Sequence, residues 1–135
     1  MKLTNGQVHS AVQAINSIGE NERAIPPMVR FKLSKMYEIL TPLFMPIEAQ
    51  RMALIQTYGA KKVHPQTGQE MWALGPEDAN FPKYLEEWKA VSETDAGEVN
   101  IKPVTLHMFG TDTRGIQLQE IIWLGPLLIH TEEEA

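Results

Sequence analysis

Residues 26–58, PPMVRFKLSKMYEILTPLFMPIEAQRMALIQTY, carry the longest helical pattern in the chain, and the rest must be arranged around it. Val29, Leu33, Met36, Leu40, Leu43, Ile47 and Leu54 recur in alternating steps of four and three, broken only where Gln50 falls in the register. Tyr37, Phe44, Ile55 and Tyr58 flank this seam and widen it to a face that needs burial on more than one side. The helix therefore requires two partners. Inside it stand Pro42 and Pro46, each without an N–H and each clashing with the carbonyl four residues back, at about 3 kcal/mol or more in a straight helix. Their spacing predicts either one kinked helix over about 27–58 or, as the preferred reading, a break into about 28–41 and 43–58. Gly59 ends the pattern, and Lys61 and Lys62 suit the negative end of the dipole.

Working outward toward the start, Thr4 and Gln7 have capping-box spacing, so a helix over about 5–18 should begin at Asn5. Val8, Ala11, Val12, Ile15 and Ile18 form its apolar face, with Gln7, His9, Gln13 and Asn16 on the polar side. Gly19 is the expected left-handed terminus, and the polar stretch to Ala24 can reverse the chain. Toward the end, residues 61–74 read as a hairpin turning at Thr67-Gly68, with Val63, Met71 and Trp72 as apolar contacts. Asn80 can cap a helix over about 81–93, whose stripe of Phe81, Tyr84, Leu85, Trp88 and Val91 should lie antiparallel to the second half of the long helix. Thr94-Asp95-Ala96-Gly97 reads as a turn, and about 98–108 as a bulged or edge strand. Residues 110–115 are loop-like, with Asp112 able to form a local turn; a short helix over about 117–124 should close the core before an acidic tail, 131–135. The resulting class is mainly α with a small β element: an antiparallel helical hairpin or bundle in one domain, 1–135, with a short hairpin and an edge strand.

With 135 residues, 43% of them hydrophobic, the chain can bury a core without staples. There is no cysteine, which excludes disulfides and thiolate chemistry. No apolar run reaches signal-peptide or membrane-span length, so a soluble protein is expected. The net charge of −5 argues mildly against nucleic acid as the main direct ligand. The distribution says more: residues 1–62 hold eight Lys and Arg against four acids, and residues 63–135 hold four against thirteen. Such polarity fits halves that face each other, within the fold or across a homo-oligomer, or an acidic surface that meets a basic partner or imitates nucleic acid.

Motifs for chemistry are missing. His9, His64, His107 and His130 are dispersed, with no ligand spacing, and each has a structural explanation. Glu86 and Glu87 are adjacent and point apart on a helix. Neither a nucleophile elbow nor a phosphate-cradling glycine run occurs. No catalytic, cofactor or metal residue is therefore predicted, and no enzyme is expected. Arg30, Phe31, Lys32 and Lys35 form a loose patch, with Arg30 and Lys32 diverging, which reads either as an exposed face whose long side chains lay their stems along the surface or as a contact surface in which Phe31 anchors and the charges orient. Trp88 reads as core, and Trp72 and Trp123 as partner-facing anchors.

The opening KLTNG (2–6), the helix ending AINSIG (14–19), and PIEAQR (46–51) followed by Leu54, Ile55, Tyr58 and Gly59 resemble a family of small phage and prophage proteins of unknown function. Looser similarities follow in YLEEW (84–88), EVNIK (98–102) and LGPLL (124–128); Pro42 departs from the family's uninterrupted charged helix. The resemblance implies a phage-encoded accessory or structural protein, a virion component or host-factor binder, found in the host-cell cytoplasm or the virion. It brings no catalytic residue. The expected partner is a phage or host protein, with a homo-oligomer open. The alternative is a nucleic-acid-related regulator, or an acidic mimic acting on a host nucleic-acid enzyme.

Overall fold

The computed structural model describes residues 1–20, 25–109 and 116–129. A short strand, β1 (Lys2–Thr4), leads straight into helix α1 (Asn5–Glu20). The start of α1 is the reciprocal cap expected from its spacing: the Gln7 N–H donates to Thr4 Oγ1 (3.2 Å) and the Thr4 N–H to Gln7 Oε1 (2.9 Å). Its end differs. The helix continues through Gly19, which does not adopt the left-handed conformation.

Helix α2 (Pro27–Tyr58) is a single element of 32 residues with Pro42 and Pro46 inside it, so the preferred break does not occur. Both prolines are exposed, and the carbonyls they orphan belong to exposed residues, Glu38 and Pro42, where water can reach them. On the opposite side Val29, Leu33, Met36, Leu40, Ile47 and Leu54 are buried along one line. Burial of that line offsets the local cost. At Gly59 the backbone is extended, and a Cβ would stand 2.5 Å from the carbonyl oxygens of Ile55 and Ala73. Glycine is required by the close approach of the next strands rather than by a left-handed turn.

The expected hairpin follows as β2 (Ala60–Val63) and β3 (Glu70–Ala73), with Lys61 opposite Trp72 and Gly68 in the turn at φ 72°. His64 is structural there: its N–H donates to the Gln69 carbonyl (2.8 Å), and its Nδ1 accepts from the Gln66 N–H (3.2 Å). Helix α3 (Phe81–Glu93) runs antiparallel to the second half of α2, with Tyr84 beside Arg51 and Val91 beside Leu43 and Ile47. Asn80 holds the cap position, but its side chain makes no cap hydrogen bond. The apolar stripe of α3 is only half-buried, and Leu85 is exposed.

The two β expectations that follow are corrected. Residues 95–97, read as part of a turn, join Glu98 in β4 (Asp95–Glu98), antiparallel to β1 with Leu3 opposite Gly97. The strand expected over 98–108 is divided into an extended run, the two-residue β5 (Val104–Thr105) and a 3-10 turn (Leu106–Phe109). β5 pairs in parallel with β6 (Leu128–Ile129), so the β content among the described residues is three separate two-stranded ladders. Before β6 lies helix α4 (Leu118–Leu124), opened by a capping box between Gln117 and Glu120 and closed at Gly125 (φ 52°). The expectations for 21–24, for the 110–115 loop with Asp112, for His130 and for the tail lie outside the described residues, as does the side chain of His107.

At the centre lies α1. It packs against α2, α3 and α4, and its Val8, Ala11 and Ala14 are fully buried. Two alanines on the buried arc let neighbouring helices approach closely. α1 and α2 are antiparallel: Ile15 and Ile18 meet Leu33 and Tyr37, whereas His9 meets Phe44. Across α1 from α2, the buried Glu120 of α4 accepts hydrogen bonds from Ser17 Oγ (2.6 Å) and the Gln117 N–H (2.8 Å). Among the described residues, no helix is long and apolar enough to cross a membrane.

Candidate protein-contact surface

A helix apolar on one stripe can bury it and leave charges outside; α2 carries apolar residues on its outer side as well. With its inner line committed to α1 and α3, the outer side is left with Met28 (63% exposed), Phe31 (58%), Ile39, Met45 (61%) and Met52. Pro42, Pro46, Ala49 and Ala53 lie among them, at helical spacing and also exposed. Every exposed residue from Ile39 to Ala60 is uncharged. The two charged residues in that span, Glu48 and Arg51, are partly buried and bound to each other. Helix surfaces that remain in water ordinarily carry charges, so this face is unusual for an unpartnered surface.

The residues singled out from sequence are spread along this helix and beyond. Phe31 and Lys35 share its outer side, with the Lys35 ammonium 5.6 Å from the Phe31 ring and 3.6 Å from Glu38. Lys32 diverges from Arg30 as the helical angles require. Lys32 reaches Met108 Sδ (4.0 Å) beside a shallow hollow lined by Phe31, Ile39 and Lys102, whereas Arg30 flanks a groove with Ile15, Ile18 and Tyr37. Trp72 stands past the other end of α2, 37% exposed, with the Lys61 ammonium 5.7 Å from its ring. Trp123 does not join them. It is half-buried against the core, like Trp88, and both line a groove between α1, α3 and the α4 turn.

One constellation was missed by sequence reasoning. His9, expected on a polar face, is 7% exposed; its ring stacks on Phe44 (5.3 Å) and meets Trp88 edge-on (5.2 Å). Its Nε2 lies 2.8 Å from Glu48 Oε2, and the Arg51 Nε–H donates to the same carboxylate at 3.0 Å. Hydrogen bonding to Arg51 holds the Glu48 carboxyl below its usual range, against the opposing effect of burial and with a further contribution from His9. Glu48 in turn raises Arg51. This chain of contacts ties α1 to α2, and Tyr84 extends it to α3. The ring faces and Nε2 of His9 are occupied within the fold, so the cluster fastens three helices. Glu48 and Arg51, three apart on α2, were a legible pair; the arrival of His9 from 39 residues away was not.

Among the described residues no three His, Cys, Asp or Glu side chains converge to hold a metal ion. Compared with family models, curated proteins and solved structures, the chain matches none.

Proposed function

We propose that this chain is a protein-binding accessory or structural protein rather than an enzyme, and that the outer side of α2 is its contact surface. The single observation that carries this reading is the uncharged, largely apolar face from Ile39 to Ala60. Each apolar side chain left in water forfeits roughly 25 cal/mol per Å² that burial would return. Covering that face with another protein recovers it. Phe31 and Trp72, near opposite ends of the helix and partly covered by lysines, have the aromatic character of contact anchors. The phage setting implied by the resemblance makes virion proteins and host proteins the partners to try.

The test uses Met45→Glu, which changes only an exposed position. Purified chain, wild type or variant, is sized by light scattering alone and after mixing with purified particles or host lysate. The expected outcome is an assembly that forms with the wild type and fails to form with the variant, while the circular dichroism of the two agrees. A wild type that stays at 15.2 kDa under every condition would sink the proposal.

A further inference from the structure

We infer that the hollow beside the start of α2 binds an acidic segment of a partner protein, which seats one large apolar side chain against Phe31 and Ile39 and sets its flanking carboxylates on Lys32, Lys35 and Lys102. The inference rests on the protein-binding reading above and gives the chemistry of the partner where it covers the first turns of α2.

The hollow lies between two elements. Phe31, Lys32, Lys35, Met36 and Ile39 share one face of α2 at helical spacing, and the extended run 100–102 after β4 forms the opposite wall. Its floor is apolar and buried, with Met36 2% and Ile101 8% exposed, whereas Phe31 and Ile39 remain open to water. A volume of about 290 Å³ lies at the lower end of ligand sites, roughly 300–1,000 Å³, and suits one inserted side chain.

The charges around this floor are unbalanced. Lys32 is half-buried and meets no carboxylate among the described residues; its polar contact is Met108 Sδ at 4.0 Å, a weak acceptor. Lys102, on the opposite wall, has no ion pair among the described residues either. Lys35 shares Glu38 at 3.6 Å and lies 5.6 Å from the Phe31 ring. Three ammoniums thus stand against one carboxylate. Arg30 belongs to the separate groove beside Ile15 and Ile18 and takes no part. A half-buried lysine that trades water for a thioether leaves charge-assisted hydrogen bonds unmade, and a carboxylate supplies them.

An acidic protein segment fits this site better than a nucleic acid. Phosphate backbones reward rows of cations, whereas here two unpaired lysines stand on a chain of net charge −5. A peptide answers both parts of the hollow at once, the floor with its apolar side chain and the lysines with its carboxylates.

The probe is a short labelled peptide of Glu and Asp with one central Leu, titrated against the full chain by fluorescence anisotropy. Binding is expected at low salt and should weaken about tenfold or more between about 0.05 M and about 0.5 M salt. Lys32→Glu and Lys102→Glu should each weaken it about tenfold, whereas Lys83→Glu, an equal change of net charge at an exposed position on α3, should not. Replacing the central Leu of the peptide by Ser should weaken binding to the wild type about fivefold, and binding to Phe31→Ala much less, because the surface it packs on is then gone. The circular dichroism of all variants should match the wild type. No binding at low salt, or an equal loss in Lys83→Glu, overturns the site. A Leu-to-Ser change felt equally by the wild type and Phe31→Ala overturns the seated side chain. Duplex DNA that binds more tightly than the peptide, and is lost in the same variants, overturns the assignment to a protein segment. If the peptide fails while light scattering still shows an assembly that Met45→Glu prevents, the protein-binding reading stands without this site. A chain that neither assembles nor takes up the peptide overturns both.

Discussion

Helices α1 and α2 begin from the same local chemistry, apolar residues at helical spacing, and end in opposite situations. α1 is short and modestly apolar, yet Val8, Ala11, Val12 and Ala14 are at most 1% exposed because α2, α3 and α4 surround it. α2 is twice as long and apolar on more sides, yet Met28, Phe31 and Met45 stand more than half exposed. Burial is thus decided by how many neighbours converge on an element and not by how much apolar surface it offers. Small residues invite convergence. Large ones, carried on the outer side of a long helix as well, outrun the neighbours available.

The sharpest way to break this comparison is to place the same charge in both helices. Val8→Asp puts an unpaired carboxylate at a fully buried site and should cost more than about 4 kcal/mol, so that the chain no longer folds. Met45→Asp should shift the monomer's stability by no more than about 0.5 kcal/mol. Equal urea midpoints for the two variants would mean that α2 is not open on its outer side. Next in size, Leu40→Ala on the inner line of α2 should cost about 2–5 kcal/mol, measured by the same titration. A loss below about 1 kcal/mol would show that α2 is loosely held on both sides.

The His9, Glu48 and Arg51 cluster sharpens the comparison because it is the polar fastening between the two helices. Glu48 is held below its usual carboxylate range, chiefly by Arg51. Its folded value therefore lies below its unfolded value of about 4.3; the stability it contributes is present above that pH and is lost as pH falls through the folded value. Urea midpoints followed from about pH 6 to about pH 2 should decline more steeply in the wild type than in Glu48→Gln. Parallel curves would remove this carboxylate as a cause of acid sensitivity.

Smaller effects concern the helices' local signals. Pro42→Ala restores an N–H inside α2 and should raise stability by about 1–2 kcal/mol, the gain in the helix being reduced by the greater freedom of the unfolded chain. A destabilised variant would mean that the proline shapes the helix for its packing. Thr4→Ala removes half of the reciprocal cap of α1 and should cost about 1 kcal/mol in thermal unfolding. No loss would assign the start of α1 to its burial alone.

What could be read before folding was whatever neighbours in sequence decide. The cap at Thr4 and Gln7, the termini near Asn5, Tyr58 and Glu93, the hairpin turning near Gly68 and the span of α4 follow from spacings of a few residues, where capping, chain stiffness and glycine chemistry act. The divergence of Arg30 from Lys32 was legible for the same reason, since helical angles alone set it. Tertiary structure decided the rest. Only the arrival of Asp95–Glu98 beside β1, and of β6 beside β5, turns short extended runs into ladders. Only the convergence of α1, α2 and α3 buries His9 against Glu48, and only the burial of Leu40, Ile47 and Leu54 on the inner side holds α2 together through Pro42 and Pro46. The division has one physical reason. Hydrogen bonds and torsions within a turn are set by adjacent residues, whereas burial and cross-chain pairing depend on partners tens of residues away, which the local pattern does not name.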